Sequence, residues 1–173
     1  MRRLQRTFRS LAVVLAVGLL GQASAQDAWL DHPLRDAATG ETFTLRSDAG
    51  QVLLVETMAT WCGSCRRQLT NLREARDTLE AAGVPVAYVV ISVERGLPDA
   101  ALAAYAEEQA FPFRFAVADD ALLGHLVDAF GRGVLNPPST PHLIVAADGA
   151  VGPLRTGFTA PDELVALLSA AAP

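Results

Sequence analysis

The chain has only two cysteines, three histidines and no lysine among its 173 residues. Each shortage excludes something. A structural disulfide framework spreads its cysteines along the chain to close long loops, whereas Cys62 and Cys65 sit almost side by side. A bridge between them would constrain the unfolded chain very little, so the value of the pair is chemical. The pair is not half of a zinc site either, because that needs a second cysteine pair or two closely spaced histidines. His32, His125 and His142 lie far apart in the sequence. Every basic residue is arginine, which together with the abundant alanine reflects genomic composition and points to no function. Repeats, heptads and low-complexity segments are absent from the chain after its first 25 residues.

Near the N-terminus the apolar run from Leu11 to Leu20 is about half the length a bilayer-spanning helix needs. Arg2, Arg3, Arg6 and Arg9 precede it and Ala23-Ser24-Ala25 follows, the pattern of a secretory signal peptide over residues 1–25 cleaved before Gln26. An uncleaved N-terminal anchor is the alternative. No cysteine follows the run closely, which excludes a lipoprotein anchor. Residues 26–173 remain as one domain, long enough to bury a core without staples. Four of the 14 arginines and none of the 19 acidic residues leave with the signal, so the net charge moves from −5 to −9. So acidic a domain is a poor candidate for binding nucleic acid or anionic lipid. Export places the cysteines in the periplasm or an equivalent extracytoplasmic space, where disulfides persist.

Residues 26–40 read as an irregular lead-in and 41–45 as a short strand. The apolar run 51–58 has the pattern of a buried strand. From 63 to about 82 the pattern is helical, with Cys65, Leu69, Leu72, Ala75 and Leu79 recurring at three and four, and Gly83 stops it. A second buried strand over 84–92 is followed by a helix over 98–110 and a strand over 113–117. Asp119 or Asp120 caps a helix running to about 130, and 131–141 is a loop with three prolines. Residues 142–147 and 151–155 form a hairpin about Asp148-Gly149. Pro161 opens a last helix with Thr159 or Ala160 as its cap. This order predicts an α/β fold: a central mixed sheet with helices on both faces, plus a short N-terminal strand.

The cysteines fall where the 51–58 strand gives way to the helix. Cys65 shares the inward stripe with Leu69 and Leu72 and is expected to be shielded. Cys62 is expected at the exposed helix N-terminus, where unpaired N–H groups and the helix dipole favour a thiolate. One accessible thiolate attacks a substrate and a shielded neighbour resolves the mixed disulfide, the asymmetry that exchange requires. Glu56 lies six residues before Cys62 in an otherwise apolar strand. A buried carboxylate there can take the proton from Cys65, with its pKa raised towards working pH. The plainer alternative pairs Glu56 with Arg66 or Arg67. For Arg67 a solvated helix face is the favoured reading, and for His142 a satisfied strand position.

The segment Glu56-Thr57-Met58-Ala59-Thr60-Trp61-Cys62-Gly63-Ser64-Cys65-Arg66 resembles the active site of the thioredoxin superfamily, especially its exported TlpA/ResA-like branch. The resemblance runs from about Glu41 to the last helix and implies a thioredoxin fold with thiol–disulfide oxidoreductase activity. It implies that Pro141 is a cis-proline facing the cysteines, with Thr140 offering its backbone to an extended substrate. It also implies that Trp61 packs beside the nucleophilic sulfur and that Gly63 and Ser64 contact substrate. Met58 replaces the family's aromatic, Ser64 its frequent proline, and Gln68 the glutamate common in ResA-like members. The 131–140 loop, with Asn136-Pro137-Pro138, is longer than usual and is placed to shape partner choice.

Relatives of this kind reduce extracytoplasmic protein disulfides, such as those of apocytochrome c or copper-site proteins, and draw electrons from a membrane relay of the DsbD/CcdA kind. That is the expected function. The same residues can instead run as an oxidase or isomerase. A third reading is an SCO-type copper metallochaperone binding through Cys62, Cys65 and a histidine, although that family spaces its cysteines by three residues. In the favoured reading there is no metal or cofactor beyond the Cys62–Cys65 disulfide.

Overall fold

The computed structural model describes residues 27–48 and 50–172. The signal-peptide assignment to residues 1–25 lies outside them. The described residues open with α1 (Ala28–Asp31), β1 (Leu34–Arg35) and β2 (Thr42–Phe43), then a 3-10 turn over Leu45–Asp48. Next come β3 (Val52–Met58), α2 (Gly63–Ala81), β4 (Val86–Ser92), α3 (Asp99–Glu108) and β5 (Arg114–Val117). After α4 (Asp120–Phe130) two 3-10 turns, Arg132–Leu135 and Pro137–Ser139, lead into β6 (His142–Val145), and α5 (Pro161–Ala170) ends the fold.

The central sheet has the order β5-β4-β3-β6, with β3, β4 and β5 parallel and β6 antiparallel to β3. Its innermost strand, β3, is buried on both faces, as its unbroken apolar run requires. Val52, Leu54 and Met58 point to the layer of α2, α3 and α5, where Leu69, Leu72, Leu102, Leu164 and Leu168 complete one core. Leu53 and Val55 point the other way, to α1 and α4, against Trp29, Leu122 and Leu126. Strand alternation therefore aims Glu56 at the α2 side with Leu54 and Met58. The chain forms a thioredoxin fold, with helices on both faces of a mixed sheet.

Two elements differ from expectation. The lead-in is not wholly irregular, because Leu34–Arg35 pairs antiparallel with Thr42–Phe43 and α1 buries Trp29 and Leu30. The expected second hairpin arm meets β6 only at the isolated bridges His142–Arg155 and Val145–Val151. Pro153 interrupts the arm, because proline has no N–H to give the ladder, while the Gly152 N–H beside it still donates to the Ile144 carbonyl of β6 at 2.8 Å.

Candidate active site

The site grows from the start of α2. Its N-cap is Cys62, in extended conformation, whose Sγ accepts the Cys65 N–H at 3.1 Å. A sulfur thus occupies the place usually held by a serine or aspartate oxygen, facing the unpaired amides of the first turn. The loop before it is pinned from the segment that follows β4. The Glu94 carboxylate accepts the Thr60 N–H and hydroxyl, both at 2.9 Å, and Cys62 N–H donates to Ala59 O. Glu94 was not legible in advance: it lies 34 residues from Thr60 and no motif links them.

Cys62 and Cys65 form a disulfide. The expected contrast in burial is much reduced, with Cys62 3 % exposed and Cys65 0 %. Part of the cover is the Pro137–Ser139 turn. Cys65 Sγ lies 3.1 Å from the Pro137 carbonyl oxygen, and Ser64 Oγ reaches the Pro138 carbonyl at 3.1 Å and Cys62 Sγ at 3.2 Å. Trp61 does not seal the pair, being 67 % exposed. Gly63 is exposed, with open space where a Cβ would stand.

Two expectations about the approach to β6 are corrected. Among the described residues every peptide bond is trans, that before Pro141 included. Thr140 makes the reversal instead, in the left-handed conformation (φ 47°, ψ 59°). Nor does Thr140 offer its backbone outward, since it is 1 % exposed and fully engaged. Its N–H donates to Pro137 O at 2.8 Å, its hydroxyl to Gly157 O at 2.7 Å, and its carbonyl accepts from His142 Nδ1 at 3.0 Å. These bonds on both sides hold a conformation that a β-branched residue otherwise avoids.

Glu56 is 1 % exposed, and its Oε1 has no hydrogen-bond partner among the described residues. Burial pushes its carboxyl pKa well above the usual range, favouring the protonated form. Neither arginine rescues it. Arg66 and Arg67 are exposed, and Arg67 lies over the Phe158 ring at 4.6 Å. His142 stands opposite Glu56 in the β3–β6 register, so the two side chains share a face.

Both ring nitrogens of His142 are occupied. A carbonyl only accepts, so Nδ1 carries the proton towards Thr140 O, and Nε2 accepts from the Thr159 hydroxyl at 3.3 Å. Burial lowers the His142 pKa and keeps the ring neutral. It is a satisfied strand histidine, with both ring nitrogens engaged. Thr159 also donates its N–H to Gln68 Oε1 at 3.0 Å and accepts from Asn71 Nδ2 at 3.0 Å, tying the loop before α5 to α2. Gln68 is therefore a buried anchor.

The other histidines are not as separate as their numbering implies. His32 and His125 meet edge to face at 5.6 Å, and His32 Nε2 lies 3.1 Å from Asp119 Oδ1. They belong to the α1–α4 side, and no group of three or more His, Cys, Asp or Glu among the described residues is arranged to hold a metal ion.

Comparison with known proteins supports what this geometry can do. A thioredoxin-family thiol:disulfide interchange protein from Chlorobium tepidum superposes with a TM-score of 0.65 at 16% identity, over 81% of this chain and 92% of that one. A secreted Mycobacterium tuberculosis disulfide oxidoreductase homologous to E. coli DsbE gives 0.59 at 18% identity, over 83% and 98%. BsSco, of the Sco family of cytochrome c oxidase assembly proteins, gives 0.63 at 15% identity, over 81% and 90%. No match to a curated protein is found. The Redoxin family model matches residues 22–151, three quarters of the sequence and both cysteines with it, so the chain belongs to the Redoxin family and is a thiol–disulfide oxidoreductase.

Proposed function

We propose that the Cys62–Cys65 couple works as an extracytoplasmic reductant of disulfides in partner proteins. The reducing direction is carried by one observation: among the described residues, no cationic side chain is hydrogen-bonded to either sulfur. The polar neighbours are the Cys65 amide, the Ser64 hydroxyl and the Pro137 carbonyl. A strong oxidase needs a highly stabilised thiolate, and neutral dipoles give less of that than a cation does. Export rests on the basic, apolar and Ala-Ser-Ala pattern of residues 1–25. Apocytochrome c and copper-site proteins are the proposed substrates, on the TlpA/ResA-like resemblance. A membrane relay of the DsbD/CcdA kind is the proposed electron donor. The DsbE homologue and the Sco protein among the structural neighbours agree with that setting.

In this reading Cys62 attacks and Cys65 resolves, while Glu56, once ionised, takes the Cys65 proton as the mixed disulfide resolves. Trp61 and Gly63, both exposed beside the pair, meet the substrate. The deciding experiment is the midpoint potential of the couple. A value below about −250 mV supports the reductant, and one above about −150 mV makes the protein a disulfide donor.

A further inference from the structure

The Ser64 hydroxyl has one proton and two neighbours that want it. Pro138 O, at 3.1 Å, can only accept, and Cys62 Sγ lies at 3.2 Å on the other side. While the disulfide is closed its sulfurs are weak acceptors, and the proton goes to Pro138. Two electrons and one proton then convert the disulfide into a Cys62 thiolate and a Cys65 thiol. The thiolate is a charged acceptor, and hydrogen bonds to charged groups are about twice as strong as neutral ones. The hydroxyl turns to Cys62 and the Pro138 carbonyl loses its donor.

We propose that Ser64 is a redox-coupled latch. It holds the Pro137–Ser139 turn over the oxidised pair and releases it on reduction, while stabilising the Cys62 thiolate. The turn is poised for this. Pro138 is exposed, and Pro137 and Pro138 lack amides of their own, so few bonds hold the segment from outside. Its remaining ties include Ser139 N–H and hydroxyl to Asn136 O, Thr140 N–H to Pro137 O and Gly157 N–H to Ser139 O. Reduction also gives the Cys65 thiol a proton to offer Pro137 O, but S–H is a weak donor and replaces only part of what is lost. The proposal rests on the exchange chemistry of the pair and is independent of the direction of electron flow.

Hydrogen exchange read by mass spectrometry, with and without a small dithiol reductant, tests the latch. In the unmodified protein, reduction speeds exchange at Thr140 and Gly157. In Ser64→Ala the oxidised protein already exchanges like the reduced one, and Ser64→Thr, which keeps a hydroxyl, restores the difference. Alkylation of Cys62 near neutral pH slows about tenfold in Ser64→Ala, as loss of one charge-assisted hydrogen bond requires. The proposal is overturned if the unmodified protein shows no redox difference at Thr140 and Gly157, if Ser64→Ala keeps that difference undiminished, or if its alkylation rate is unchanged.

Discussion

Replacing Glu56 by glutamine removes a carboxyl that the fold holds in its neutral form, and the effect on stability depends on pH in a calculable way. In the unfolded chain the group titrates near 4.5, and in the native protein burial raises that value well above it. Below 4.5 both states carry the proton and the group contributes no pH dependence. Between the two pKa values the native state keeps the proton that the unfolded state has lost. Stability therefore falls as pH rises, by about 1.4 kcal/mol per unit, until the native pKa is reached. Screening does not discount this, because the side chain is 1 % exposed. Glutamine keeps the shape and carries no such term; the polar atom left without a partner at Oε1 adds only a constant offset. Urea unfolding of both oxidised proteins from about pH 5 to about pH 8 should show the substituted protein gaining on the parent as pH rises, until the native Glu56 carboxyl ionises. Other titrating groups, His142 included, cancel in the difference. A difference that stays constant across the range would mean that Glu56 is already ionised in the native state, and would contradict the upward shift that burial gives its pKa.

Three further outcomes are expected. In the reduced protein Cys62 should alkylate faster than Cys65, since Cys65 is fully buried against Pro137 O; peptide mapping after a short pulse reads the ratio, and equal labelling would contradict the geometry. Glu94→Ala should cost about 1–2 kcal/mol, because the Thr60 amide and hydroxyl lose a charged acceptor, and should slow turnover by loosening the loop before Cys62; denaturant unfolding and single-turnover kinetics measure the two effects. His142→Leu leaves Thr140 O and the Thr159 hydroxyl without their partner and should cost about 2–4 kcal/mol, with a lower urea midpoint and an unchanged m-value.

What the sequence makes legible follows the range of each interaction. β3, α2 and β4 announce themselves through local apolar periodicity, and the structure places them within two residues of their expected ends. Cys62, Cys65 and Glu56 are equally local, falling on one strand-to-helix junction. Glu94 on Thr60, Gln68 on Thr159 and Pro137 on Cys65 join residues 34, 91 and 72 apart, and no spacing rule connects them. Pro141 shows the opposite hazard. A family pattern made it a cis-proline facing the cysteines, whereas the bond before it is trans and Thr140 makes the reversal one residue earlier.

The same contacts explain how a buried acid and a reactive sulfur coexist in one core. Among the described residues, the charged side chains that touch this region do so at its margin: Glu94 grips the entering loop, and Arg67 spends its charge on the Phe158 ring. Around the sulfurs stand uncharged groups of fixed direction, an amide and a hydroxyl offering hydrogen and a carbonyl opposing negative charge. Their direction divides the labour. The N-cap position favours charge on Cys62, while Pro137 O disfavours it on Cys65, which stays a thiol until a base removes its proton. Burial keeps Glu56, on the same side of the sheet, neutral at rest, so no full negative charge stands behind the pair, and in the proposed mechanism it serves as that base only once it has given up its own proton. The asymmetry proposed for the two cysteines thus draws on opposed dipoles as well as on the slightly deeper burial of Cys65.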